Sequence, residues 1–168
     1  MRLFIDMDGC LAVFLKAARE ADLYKQGYFE NLPAQSNILE AVKSLANRVD
    51  CYILSSYLED SPYALCEKNA WLDRYFPEIK PSHRVFTPCG TSKVNAVMNY
   101  NPLSDVLVDD YGINCSEWKE KGGRYVKVSL NELDAEKEAL RHQYTIHPQM
   151  SATKIADIIC QVLECPGR

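Results

Sequence analysis

Short apolar runs separated by amphipathic stretches recur along the whole chain. Leu3 to Ile5 has the pattern of a buried strand, and it stops at Asp6-Met7-Asp8-Gly9, where glycine permits a tight turn. Leu11 to Ala21 then has a helical pattern, and Lys25 to Pro33 reads as an irregular connection. Ser36 is placed to cap a helix running to about Ala46, with Ile38, Leu39, Val42 and Leu45 on one face. Cys51 to Leu54 is a second strand that ends in Ser55-Ser56. Ser61 with Pro62 starts a helix that carries Leu65, Ala70, Trp71 and Leu72 toward Tyr75. Arg84 to Phe86 is a weaker third strand, and Ser92 caps a short helix from Lys93 through Val97. Val106 to Val108 is a fourth strand, ended by Asp109-Asp110. A helix near Cys115 to Lys121 stops at Gly122-Gly123, and Tyr125 to Val128 is a fifth strand. Ser151 opens a last amphipathic helix, Lys154 to Leu163. Between them, Asn131 to Arg141 is charged and reads as a solvated helix face.

Strands alternate with helices from end to end, which predicts an α/β fold. The expected architecture is a doubly wound, Rossmann-like parallel sheet of about five strands with helices on both faces. A chain of 168 residues fits a single domain over residues 1–168. The formal charge of -4 and the lack of a basic patch argue against nucleic-acid polymers and anionic membranes as partners. Charges interrupt every apolar run, and the N-terminal run ends at Asp6, so neither a membrane span nor a secretory leader is expected. The expected location is the cytoplasm. Seven scattered cysteines without a C-x-x-C pair fit neither a zinc site nor a disulfide framework. Cys10, beside two carboxylates, is the thiol with the best case for reactivity.

Polar residues recur where strands end. Asp6 and Asp8 follow strand one, Ser55 strand two, and Asp109 and Asp110 strand four, while Lys93 opens the helix after strand three. In an open parallel sheet those ends share one edge, and ligands bind in the crevice outside it. Three or four carboxylates brought together would repel one another and resist ionisation. A hard divalent cation relieves that repulsion, and oxygen donors suit magnesium beside a phosphate. A lysine and a hydroxyl then remain to hold an anion, so the set describes phosphoryl transfer. Alone, each element has a plainer meaning: D-x-D-G a capped turn, Ser55 a turn hydroxyl, Lys93 a solvated charge. Their order on successive strand ends is what carries the chemistry.

That order resembles the haloacid dehalogenase-like superfamily of phosphohydrolases. Asp6-Met7-Asp8 matches its first motif, Ser55 its second, Lys93 its third and Asp109-Asp110 its fourth. Asp6 to Ala12, Gly27 to Leu32 and Glu67 to Leu72 are further similar to the 5′(3′)-deoxyribonucleotidases, which remove phosphate from deoxynucleoside monophosphates. Glu67 to Leu72 lies on a helix away from the strand ends and suggests kinship more than chemistry. The family's helical cap is reduced here to a short insertion at about 13–33. Tyr24, Tyr28 and Phe29 in it could stack on a base or pack in the core.

The resemblance implies roles. Asp6 is the nucleophile that forms an aspartyl-phosphate, and Asp8 the general acid and base. Lys93 neutralises the charge shared by nucleophile and phosphate. Ser55, more weakly Ser56, and the backbone N–H groups from Met7 onward hold the phosphoryl oxygens; Tyr28 and Phe29 are candidate substrate contacts. Mg2+ is held by Asp6, the Asp8 backbone carbonyl and Asp110, with Asp109 in support. The expected substrate is a small phosphorylated molecule, foremost a nucleoside monophosphate; the alternatives are another phosphorylated metabolite, or a non-catalytic phosphate- or nucleotide-binding module. A homodimer is compatible with the sequence. His83, His142 and His147 sit at no strand end and read as surface or packing residues.

Overall fold

The computed structural model describes residues 1–14, 20–130 and 141–164. Six strands form one parallel sheet: β1 Arg2–Ile5, β2 Asp50–Tyr57, β3 Arg84–Pro88, β4 Asp105–Asp109, β5 Arg124–Val128 and β6 Thr145–Ile146. Their order is β3-β2-β1-β4-β5-β6. The chain starts in the middle, winds outward to β3, returns to β4 beside β1 and winds outward again. Neighbouring strands β1 and β4 therefore lead to opposite sides, and such a reversal opens a crevice at their carboxyl ends. The sheet is the doubly wound one expected, with one strand more. The additional β6 has two residues, too few for a periodic signal.

Among the described residues there are five α-helices: α1 Ser36–Leu45, α2 Ala64–Tyr75, α3 Lys93–Ala96, α4 Gly112–Glu120 and α5 Ala152–Leu163, the last following β6. The pleat sends successive residues of each strand to opposite faces. Leu3 and Ile5 join Cys51, Ile53, Val106 and Val108 in one core, under α1, α2 and α5. Phe4 points the other way, with Leu54 and Leu107, and packs on Val94 of α3 and Trp118 of α4. Burying a side chain such as Phe4 contributes roughly 1.5–3 kcal/mol.

Local departures from the sequence pattern have local causes. Leu11 to Phe14 is not helical: the Met7 carbonyl accepts from the N–H groups of Cys10, Leu11 and Ala12, which winds the chain into a turn. Ala12 then bridges Ala34, and Val13 N–H donates to the Pro33 carbonyl at 2.7 Å. These contacts close the neck of the segment between Val13 and Pro33, whose described residues include a short 3-10 helix, Glu20–Tyr24. Residues 15–19 of the expected helix lie outside the described residues, as do Cys165 and most of the charged stretch from Asn131. Ser36 is the first residue of α1 and not its cap; Gln35 holds that position without a side-chain bond. Leu65 is exposed. Ser151 does cap α5, accepting from the Lys154 N–H.

Candidate active site

The turn after β1 is built around Asp6. Its Oδ1 accepts from the Met7 N–H at 2.8 Å and lies 2.9 Å from Lys93 Nζ. Lys93 opens α3, and its ammonium also donates to Asp109 Oδ2 at 2.7 Å. Burial works against this ammonium, but Asp6 and Asp109 outweigh it and hold its pKa above the ordinary value. Lys93 is thus a fixed positive charge between two carboxylates from neighbouring strands.

The two acids of the fourth motif divide their work. Asp109 ends β4, is fully buried, and accepts from Lys93, from the Tyr111 N–H at 2.7 Å and from Asn114 Nδ2 at 3.0 Å. Its carboxylate is committed to protein donors. Desolvation, then the nearby Asp6, push its pKa up; Lys93 opposes both. Asp110 instead reaches toward Asp6: single donor atoms of Asp6, Cys10 and Asp110 lie within 4.8 Å of one another. Lys127 Nζ donates to the Asp110 backbone carbonyl at 2.5 Å and so anchors this residue from β5.

Gly9 makes room for that approach. Its φ is +80°, and a Cβ built there would stand 2.5 Å from the Asp110 carboxylate. Any side chain would meet both a strained backbone and the acid. Two carboxylates at this spacing fit a hard divalent cation such as magnesium. Cys10 is the third member of this group, and a softer donor than a carboxylate. Its Sγ is 3.9 Å from the Val108 carbonyl, and burial, then Asp110 and Asp6, raise its pKa well above the ordinary value, which disfavours the thiolate.

Asp8 lies at the same edge. Its Oδ2 accepts from Lys68 Nζ at 2.5 Å, and its Oδ1 is buried without a hydrogen-bond partner among the described residues. Desolvation is the largest influence on it, and together with Asp6 it overcomes Lys68 and raises the Asp8 pKa. Such a carboxyl is suited to carrying a proton.

Ser55 and Ser56 belong to β2 itself, paired with Phe86 and Thr87 of β3, rather than following the strand. Ser55 Oγ is 3.2 Å from Lys68 Nζ, and the Ser56 carbonyl accepts from the same ammonium at 2.7 Å. A cavity of about 790 Å³ is lined by Asp6, Asp8, Ser55, Ser56, Lys93 and Asp110, and Phe14, Tyr111 and Ile113 add apolar wall. Five elements far apart in sequence meet there, as the strand-end pattern predicts.

The aromatic candidates are placed differently. Phe29 is buried in the core with its ring 5.0 Å from Lys68 Nζ, so it packs and does not face the cavity. Tyr28 stands edge-on to Phe29 and to the cavity residue Phe14. Tyr24 is turned outward and donates to Asp60. The Met7 N–H is already committed to Asp6. His83 stacks on Tyr52, His142 contacts Tyr125, and His147 accepts from the Gln149 N–H.

Lys68 is the site residue that reading by strand ends misses, because it comes from a helix. The signal was present: Lys68 follows Ala64 by four residues and precedes Trp71 and Leu72 by three and four, which puts it on the buried stripe of α2. Helix α2 therefore reaches the site through Lys68, although Glu67 to Leu72 is expected to mark kinship more than chemistry.

No protein-family model matches the chain. A provisionally named 5′(3′)-deoxyribonucleotidase of Staphylococcus epidermidis is 36% identical over 90 residues, covering 53% of this chain and 45% of that protein. One of Staphylococcus aureus bearing the same name is 32% identical over 88 residues, covering 52% and 43%. The chain thus matches somewhat under half the length of these curated relatives. The likeness supports a nucleotidase-like family. No helix among the described residues is long and apolar enough to cross a membrane.

Proposed function

We propose that the protein is a phosphomonoester hydrolase of the haloacid dehalogenase-like type, acting on nucleoside monophosphates through an aspartyl-phosphate. One observation carries this reading: Lys93 is held between Asp6 and Asp109 at the β1/β4 crevice, with Asp110 across from Asp6. A buried ammonium beside a carboxylate that shares a cavity with a second, metal-competent acid is an arrangement for receiving a phosphoryl group. The likeness to the staphylococcal nucleotidases supports the substrate class, and the apolar wall of Phe14, Tyr111 and Ile113 offers a base a place to lie.

In the proposed reaction, Asp6 attacks phosphorus. Its Oδ1 holds the Met7 N–H and faces Lys93, so Oδ2 is the oxygen that forms the new bond. The ester P–O bond breaks, and Asp8 gives its proton to the departing alkoxide. Asp8, now ionised, takes a proton from water as that water attacks the phosphoryl group. The bond from phosphorus to Asp6 breaks, releasing inorganic phosphate and restoring both residues. Ser55 and Ser56 orient phosphoryl oxygens, and Lys93 offsets the charge that builds between nucleophile and phosphate. The carboxylates of Asp6 and Asp110, with the Asp8 backbone carbonyl, would hold magnesium, which when bound supplies further charge neutralisation at the phosphoryl oxygens.

The test is a panel of 5′- and 3′-deoxynucleotides, ribonucleotides and sugar phosphates, assayed with magnesium and again with EDTA. Magnesium-dependent release of phosphate, fastest from nucleotides and abolished by Asp6→Asn, is expected. Preference for sugar phosphates over every nucleotide would refute the substrate class; activity retained by Asp6→Asn would refute the covalent route.

A further inference from the structure

Lys68 is among the largest fully buried side chains of the molecule. Its three ammonium hydrogens match three acceptors: Asp8 Oδ2 at 2.5 Å, the Ser56 carbonyl at 2.7 Å and Ser55 Oγ at 3.2 Å. The ring of Phe29 lies 5.0 Å from its nitrogen. An ammonium taken wholly out of water is costly unless every donor is used. Here all three donors go to the edge of the sheet that holds the site.

The neighbouring residue faces the insertion. Glu67 accepts from the Gly27 N–H at 2.5 Å and the Phe29 N–H at 3.0 Å, and Trp71 Nε1 donates to the Leu32 carbonyl at 2.7 Å. One turn of α2 thus grips both Asp8 and the backbone of residues 27–32. Phe29, held by Glu67, in turn covers Lys68.

We propose that Lys68 is a positioning residue for Asp8: it fixes the carboxyl by Oδ2, and the Glu67–Phe29 contact keeps Lys68 in place to do so. This deepens the phosphatase reading and rests on it, since it needs Asp8 to be the proton donor and acceptor. Losing Lys68 frees the Asp8 carboxyl to turn away from the cavity. Steps that need proton transfer then slow, while attack by Asp6 on an ester with a good leaving group does not.

The experiment compares wild type and Lys68→Met on a deoxynucleoside monophosphate and on p-nitrophenyl phosphate, with pre-steady-state detection of p-nitrophenolate. For Lys68→Met, kcat on the nucleotide falls about a hundredfold, the lower end of what acid–base assistance provides, with KM within a few-fold. The first-turnover burst of p-nitrophenolate survives, followed by slow turnover, because hydrolysis of the intermediate still needs Asp8. Loss of burst and turnover together, or of neither, overturns the inference.

A second comparison holds even where Lys68→Met does not fold. In Asp8→Asn/Lys68→Met no charge is left unpaired between the two positions. Residual activity equal, within about threefold, to that of Asp8→Asn alone supports action through Asp8. A further tenfold loss contradicts it. A wild-type protein that cleaves no phosphomonoester removes the phosphatase reading and this inference with it. An active wild type whose variants break the pattern removes the inference alone.

Discussion

Lys93 Nζ sits 2.9 Å from Asp6 Oδ1, so the proposed nucleophile has a buried cation as its immediate neighbour. The same ammonium is 2.7 Å from Asp109. The acid that follows β1 and the acid that ends β4 are thereby bridged by one ammonium. Replacing Lys93 by Met leaves two buried carboxylates without the ammonium between them. The expected result is a fall in kcat of about a hundred- to a thousandfold, the scale of losing one electrostatic stabiliser. Steady-state kinetics on the best substrate, alongside a thermal melt, measures it. Activity within tenfold of wild type would take Lys93 out of the mechanism.

Asp109 and Asp110 are adjacent yet predict opposite phenotypes. Asp109 is buried and accepts from three protein donors. Asp109→Asn turns an amide NH2 against one of them and halves the charge opposed to Lys93, so a loss of about 3 kcal/mol of stability is expected. Asp110 is held through its carbonyl by Lys127, which the substitution does not touch. Asp110→Asn should unfold within about 1 kcal/mol of wild type yet lose magnesium-dependent activity. Urea unfolding without metal and activity titrated with magnesium separate the two. The reverse outcome would exchange their roles.

How much of this was legible in the sequence follows from where each residue sits. Asp6, Asp109 and Asp110 lie at or just beyond strand ends and Lys93 opens the helix after β3, and a parallel sheet brings strand ends to one edge whatever the details of packing. Ser55 lines the same cavity, although it lies within β2 and not after it. Lys68 was not found, because its contact with Asp8 depends on how α2 packs, which the order of strands does not fix. A lysine on the apolar stripe of a helix was the available signal. The pattern from Leu11 to Ala21 predicts a helix directly after the Asp6 turn, yet Leu11 to Phe14 are not helical. The Met7 carbonyl gathers three N–H groups instead. Tertiary contacts of this kind leave no periodic trace.

Glu67 holds residues 27–32 against α2 with two backbone N–H groups on one carboxylate. Glu67→Gln exchanges one acceptor oxygen for a donor that meets an N–H head-on. A destabilisation of about 2 kcal/mol is expected, in the range for a buried donor left unsatisfied. Hydrogen exchange read at Gly27 and Phe29 should accelerate more than at core amides of β1 or β4. Unchanged protection at those two amides would show that the segment is secured by Trp71 and its neighbours alone.

Stability at alkaline pH offers a test of the core that is independent of catalysis. Cys51, on β2, is nearly fully enclosed; burial, aided by Asp50, pushes its thiol from 9.0 up to about 12. A raised pKa means that the folded state keeps the proton after the unfolded state has lost it. The stability from this difference is complete below pH 9 and is lost as pH rises from 9 toward 12, at about 1 kcal/mol per pH unit. Cys51→Ala removes the thiol and with it this slope. In urea unfolding under reducing conditions, the alanine variant should therefore be less stable than wild type at about pH 8, because of the cavity it leaves. By about pH 10.5 the gap should narrow by roughly 1–2 kcal/mol. A gap that stays constant across that range would mean the thiol ionises alike in both states, and that Cys51 is open to solvent in a way the packing of β2 does not allow.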